Sequence, residues 1–363
     1  MTNREGFLRL MAYEPVDRLP VLALEPFEPT AIERWRTEGL PADADVVDFL
    51  GMARLNHVPV NFGPIPGFAP EVLSEDADYQ VVMGPMGATI RQRRDNPTMF
   101  YGHLDHPVKT RTDWQRYRER FQASSPGRLP DEWEATVAPQ LDASTEPTGL
   151  CLFPFFFRLG FYAMGMEHFL MSFHTQPELM HQVFADWSRF VCDLLDRILP
   201  HVRLDYAIFA EDLAGKNGPL VSPQTYREFW RPHQAPIIER LHVHGVPVIC
   251  QWSAGEFAAL LPEMMDQGMN ATWPLEVMAG MDAARLRSQF GPELRLGGNI
   301  AKEAVIAGLD AIDREIERLQ PLIEEGAFLP ALDDMASPDM PFPHYRYLIE
   351  RLQAIRVCEA ARG

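Results

Sequence analysis

The stretch DYAIFAEDLAG (205–215) decides the reading of this chain. Six residues suited to a buried strand run directly into two adjacent acids, Glu211 and Asp212, and then into a glycine-bounded loop. Once, such a pattern is an accident of a loop. Repeated along a chain, it describes an active site.

It does repeat. Short β-rich runs occur at LPVLAL (19–24), HVPV (57–60), GLCLFPFFF (149–157), DYAIFA (205–210), VPVIC (246–250), NATWPL (270–275), LRLGG (294–298) and AFLPAL (327–332). Longer segments of helical periodicity separate them, at 177–199, 222–244, 255–267, 309–325 and 343–359. Strands alternating with helices predict an α/β fold with a parallel sheet, and eight of them predict the TIM (β/α)8 barrel. The runs are followed in turn by Glu25, Asn61, Arg158, the pair Glu211 and Asp212, then Gln251 and Ser253, Glu276, Asn299, and the pair Asp333 and Asp334. In a parallel barrel those positions share one mouth, where such folds place their chemistry.

A long insertion separates the second and third runs, over about 79–141. Its QVVMGPMGATIRQRR (80–94) has a GPMG centre with alternating flanks and reads as a β-hairpin. Two amphipathic stretches, 106–121 and 129–141, read as surface helices. The expectation is one barrel domain over 1–363, with this insertion covering the mouth.

Composition narrows the function classes. A net charge of −18 disfavours nucleic acid and anionic membranes, which bind clustered Lys and Arg. No run reaches the ~18 uninterrupted apolar residues of a membrane span, and no signal-peptide pattern opens the chain. Cys151, Cys192, Cys250 and Cys358 are scattered, without a CxxC pair, which fits free thiols in a reducing cytoplasm.

Several motifs together resemble the uroporphyrinogen decarboxylase superfamily, which includes corrinoid-dependent methyltransferases. The likeness runs through LRLMAYEPVDRLPV (8–21), RWRTEGLP (34–41), HPVKTRTDW (106–114), MGMEHFL (164–170), EDLAGKNGPLVSP (211–223), PLEVMAGMD (274–282), GGNIAKEAV (297–305) and GAFLPALDDMASPDMP (326–341). It implies a TIM barrel, a homodimer and, on the methyltransferase-like side, a corrinoid carried by a partner protein. The departures bear on mechanism. Porphyrinogen decarboxylases carry arginines after the first strand for a polyacidic tetrapyrrole, and here Glu25 and Glu28 stand in that stretch. The zinc-dependent thiol methyltransferases use His-x-Cys after the fifth strand and Cys after the eighth. This chain has Gln251-Trp252-Ser253 and Asp333-Asp334 there, so the zinc-thiol site is absent as written.

The candidate catalytic groups are therefore Glu211, Asp212 and Asp334, with Asn61, Arg158, Gln251, Ser253, Glu276 and Asn299 as substrate-binding candidates. Crowded carboxylates raise one another's pKa and make general acids. Oxygen ligands of this kind also accept a hard divalent cation, for which Glu211, Asp333, Asp334 and His57 are the candidates. His242 and His244 stand two apart at a helix end, which suits the helix dipole and solvent better than a metal. Cys250 reads as a buried thiol and FPFFF (153–157) as barrel core, while Lys216 lacks the glycine spacing of a phosphate loop.

Three readings of function follow. The first is a methyltransferase-like enzyme passing a methyl group from a small methylated substrate to a corrinoid protein, the acidic mouth suiting a cationic amine. The second is a decarboxylase or lyase of a small carboxylate bound by Arg158, and the third a catalytically silent binding protein.

Overall fold

The computed structural model describes residues 1–95 and 100–356; Cys358 lies outside them. Seven parallel strands form the central sheet, in the order Asn56–His57, Thr148–Leu152, Tyr206–Ala210, Val248–Trp252, Ala271–Trp273, Arg295–Ile300 and Phe328–Leu332. Spatial order follows chain order, as right-handed β-α-β crossovers produce. All five residues of Tyr206–Ala210 and of Phe328–Leu332 are buried, which is why these strands read as unbroken apolar runs.

The first run, LPVLAL, is not a strand of this sheet. It contributes an isolated parallel bridge between Leu22 and Ala53, and a second bridge joins Phe27 to Ala336. Pro20 has no N–H for a ladder, and the pairing reduces to Ala53 N donating to Val21 O at 2.8 Å. The segment nonetheless meets residues beside both edge strands. The run 149–157 also divides: its strand stops at Leu152, and Phe156–Met164 is a helix. Phe155, Phe156 and Phe157 are buried as expected, whereas Phe153 is 44% exposed.

The helices follow from their periodicity. Pro177–Ile198 buries Leu179, Met180, Val183, Phe184, Trp187, Val191, Leu194, Leu195 and Ile198, one face of a 3.6-residue repeat, and packs on Arg231–Val243. Leu309–Glu325 coincides with the expected helix. Beneath the sheet, Arg4 of the first helix pairs with Asp205 at 2.8 Å, both side chains buried, and so fixes the amino end of the strand Tyr206–Ala210.

Between Asn56–His57 and Thr148–Leu152 the chain builds a four-stranded antiparallel sheet: Val72–Glu75, Tyr79–Met83, Thr89–Arg93 and Phe100–Asp105. The central hairpin is the one expected at 80–94, and the outer strands extend it. Its GPMG turn needs Gly87 at φ +84°, where a Cβ would also meet the Phe68 ring at 2.6 Å. The helices that follow are less superficial than their sequence suggests, since Trp114, Tyr117 and Trp133 are buried.

Candidate active site

The acids at the strand ends separate into two kinds. Glu211 is fully buried. Its Oε2 accepts from Phe157 N at 2.7 Å and Arg158 N at 3.4 Å, and its Oε1 from Trp230 Nε1 at 3.0 Å. The carboxyl thus caps the helix Phe156–Met164, whose first amides lack intrahelical partners. Burial pushes its pKa up to about 8 against the pull of these donors. Asp333 is similar: Oδ2 accepts from Val277 N and Oδ1 from Lys302 N, each at 2.9 Å, and burial raises it to about 6. Glu276 accepts from Gly255 N at 2.8 Å. These acids hold loops together.

Asp212 and Asp334 pair with cations instead. Asp212 lies 2.7 Å from the Arg158 guanidinium, and burial raises its pKa while Arg158 opposes the shift. Asp334 pairs with the ammonium of Lys302 and accepts from Met335 N at 2.8 Å. Arg158 also lies over the Phe153 ring at 5.5 Å and the Trp252 ring at 5.6 Å, so aromatic faces and one carboxylate hold it.

Glu25, at the end of the first run, stands between the two ion pairs. It is 9% exposed, and the Trp252 indole N–H donates to its Oε1. Burial, opposed by the Trp252 hydrogen bond and reinforced by Asp334, pushes its carboxyl up to about 8.

The neutral candidates are mostly engaged with the backbone. Ser253 Oγ accepts from Leu213 N at 2.9 Å and donates to Ala254 O at 3.0 Å. Buried Asn299, at φ +66°, accepts from Ala283 N and donates to Leu275 O, each at 3.1 Å. Gln251 Nε2 donates to Phe209 O at 3.0 Å and Trp252 O at 2.9 Å, whereas its Oε1 is buried without a partner among the described residues. Asn61 turns its Oδ1 to Gly63 N at 2.8 Å.

Beside Arg158 lies a cavity of about 850 Å³, within the range of small-molecule sites. The strand ends supply Asn61, Phe62 and Phe153, and the helix Phe156–Met164 supplies Arg158, Phe161 and Tyr162. The antiparallel insertion supplies the opposite wall, including Gly84, Met86 and His103, with His106 just beyond it. The His103 and His106 rings stack with centroids 5.3 Å apart, and His106 Nδ1 lies 3.0 Å from Tyr162 O. The lining is largely apolar, and among the described residues Arg158 is its only Lys, Arg, Asp or Glu.

The metal candidates are not brought together. His57 Nδ1 lies 3.1 Å from the Tyr206 hydroxyl, and among the described residues no three His, Cys, Asp or Glu side chains form a group that could hold a metal ion. Cys151, Cys192 and Cys250 are free thiols, and burial drives Cys250 well above its ordinary value and Cys151 to about 11. With Gln251 and Ser253 occupied as described, the residues present do not fit a zinc-thiol centre. His244 Nδ1 lies 2.9 Å from Arg240 O at its helix end.

Glu25 is the residue the strand-end rule gives after the first run, though it was not among the site candidates, and Trp252 lies between two of them, Gln251 and Ser253. His103, His106 and Tyr162 carry no such signal, because the insertion reaches the mouth only through folding.

A parallel strand layer wrapped in helices, with its charged groups gathered at the strand carboxyl ends, defines a TIM-barrel-like α/β fold. Within that class the chain belongs to the family described as Uroporphyrinogen decarboxylase (URO-D), whose model it matches over residues 58–353. It is 28% identical over 146 residues to "Uroporphyrinogen decarboxylase" of Rhodococcus erythropolis (strain PR4 / NBRC 100887), a match spanning 39% of this chain and 39% of that protein. Its fold is similar to that of a methyltransferase from Methanosarcina mazei, with a TM-score of 0.60 and 16% identity over 97% of this chain and 98% of that one. No helix among the described residues is long and apolar enough to cross a membrane.

Proposed function

We propose that the protein is a methyltransferase-like enzyme that takes a methyl group from a small methylated substrate and passes it to a corrinoid on a partner protein. The observation that carries this reading is the cavity of about 850 Å³ beside Arg158, at the strand ends where folds of this class do their chemistry. Family membership and a fold like that of the Methanosarcina methyltransferase support it. In this reading the segment 22–27, bridged to Ala53 and Ala336, closes an eight-membered barrel. Free thiols suit a reducing cytoplasm, and we read the enzyme as a homodimer there.

Arg158 anchors the substrate and Asn61, also in the lining, offers its amide, while buried Gln251 stands outside the lining and braces Phe209 O and Trp252 O through its Nε2. Ser253, Glu276 and Asn299 shape the loops. The cavity lining contains no carboxylate, so it suits a neutral or singly anionic substrate better than the cationic amine that an acidic mouth suggested. It suits uroporphyrinogen poorly, since the one lining guanidinium is already paired with Asp212. A reduced corrinoid would supply the nucleophile for the methyl group; this chain's residues bind and orient the donor.

A second reading, decarboxylation of a small carboxylate, draws on Arg158 and on the name of the Rhodococcus relative. Incubating the protein with methoxylated aromatic acids and reduced cobalamin separates the two. Demethylated product with methylcobalamin supports methyl transfer, and CO₂ release without methylcobalamin supports the second reading.

A further inference from the structure

We propose that the cavity beside Arg158 binds a flat aromatic monocarboxylate as its substrate, the acid end at Arg158 and Tyr162 and the ring against the aromatic wall. The inference deepens the methyl-transfer reading above and rests on it for the methyl group that the acid carries.

The size and lining of the cavity carry the argument. At about 850 Å³ it is far larger than a simple methylamine needs, and such a guest would leave most of an apolar wall facing water. That wall is built largely of rings. Phe62, Phe153, Phe161 and Tyr162 line it from the side of the strand ends, and the stacked His103 and His106 rings line it from the insertion. Tyr162 joins the two sides: its ring centroid lies 5.4 Å from that of Phe161, 6.4 Å from Phe153 and 6.1 Å from His103. Rings at these spacings favour a flat aromatic guest, because offset and edge-to-face contacts add attraction beyond the burial of area.

One cation sets the polar end. Asp212 pairs with Arg158 through Nη2 at 2.7 Å. Nη1 has the Tyr162 hydroxyl at 3.5 Å, a long contact, and no other hydrogen-bond partner among the described residues. This edge of the guanidinium donates to a carboxylate, and the Tyr162 O–H donates to the same group, beside the rings that hold the body of the guest. A second carboxylate finds no cation, since among the described residues the lining has no other Lys or Arg. A cationic guest meets the Arg158 charge and no carboxylate in the lining.

The test is calorimetric binding to the full chain without corrinoid, followed by turnover with cob(I)alamin. The probes are 4-methoxybenzoate, its methyl ester, the saturated 4-methoxycyclohexanecarboxylate and the dianion 4-methoxyisophthalate. The first should bind at least about tenfold more tightly than each of the others, the scale of one hydrogen bond to a charged group. Equal affinity for the ester, the saturated ring or the dianion overturns the proposal, as does the failure of all four to bind. Phe153→Leu, at a position 44% exposed, should weaken 4-methoxybenzoate by about 2–10-fold, and Arg158→Gln should abolish the preference for acid over ester. Unchanged affinities in both variants put the ligand elsewhere and overturn the assignment. The comparison of the four probes uses the wild type alone, so it decides even where a variant does not fold. Demethylation of trimethylamine without binding of the aromatic acid overturns the inference and leaves methyl transfer standing. Binding in the expected order with no methylcobalamin formed supports the ligand class and removes the methyl-transfer reading.

Discussion

The indole N–H of Trp252 donates to Oε1 of Glu25, tying the end of the strand Val248–Trp252 to the segment 22–27 across the mouth. This contact keeps a carboxyl where water is scarce, and that placement has a thermodynamic signature. Glu25 is held at about 8 in the fold, against 4.5 for an ordinary glutamate. Between those values the unfolded chain has lost a proton that the folded chain keeps, so stability falls as pH rises through this window and is fully present below it. Glu25→Gln should flatten the decline by at most about 1.4 kcal/mol per pH unit, measured by urea unfolding across the window.

Glu211 answers to three N–H donors, and its removal strands them all in a buried site. Glu211→Ala should destabilise the protein by about 3 kcal/mol, whereas Glu276→Ala, which frees one amide at a partly exposed position, should cost about 1 kcal/mol. Thermal and denaturant unfolding would rank the two; equal effects would refute the structural role given to Glu211.

Arg158 is set by Asp212 on one side and by the Phe153 and Trp252 rings on the other. Lysine restores the charge but not the planar fork or the stacking. Arg158→Lys should therefore raise KM for a carboxylated donor at least about tenfold, the loss expected for one charge-assisted hydrogen bond. Steady-state kinetics with the carboxylated donor and its methyl ester would check it, the ester being insensitive.

Gly102 lines the cavity from the insertion, and a Cβ there would meet none of the described residues within 4 Å. Gly102→Leu should leave the melting temperature nearly unchanged while its side chain takes up substrate space. A rise in KM without loss of stability would establish the insertion as a wall of the working site; unchanged kinetics would remove it from substrate binding.

The strand DYAIFA and the helix 309–325 were legible because each carries one strong local pattern, an apolar run or a 3.6-residue period, that packing then obeys. The hairpin at 80–94 was legible from its glycine turn. LPVLAL has the composition of a strand but lacks the N–H that Pro20 would need to donate, so it contributes a single bridge, Leu22 to Ala53. The FPFFF run carries no period that separates strand from helix, and only the placement of the helix Phe156–Met164 resolves it.

The sequence by itself determined that the chain alternates strands and helices, and that polar groups follow the strands. Tertiary structure decided what each group does. Glu211 and Asp212 are neighbours in sequence, just past the end of the strand Tyr206–Ala210, yet they meet different partners. One is consumed in capping a helix and the other meets Arg158 at the mouth. Glu25 and Trp252 are 227 residues apart, and His103 comes from an insertion with no link in sequence to the strand ends. Distances of that kind are set by packing the whole chain, and no local pattern encodes them.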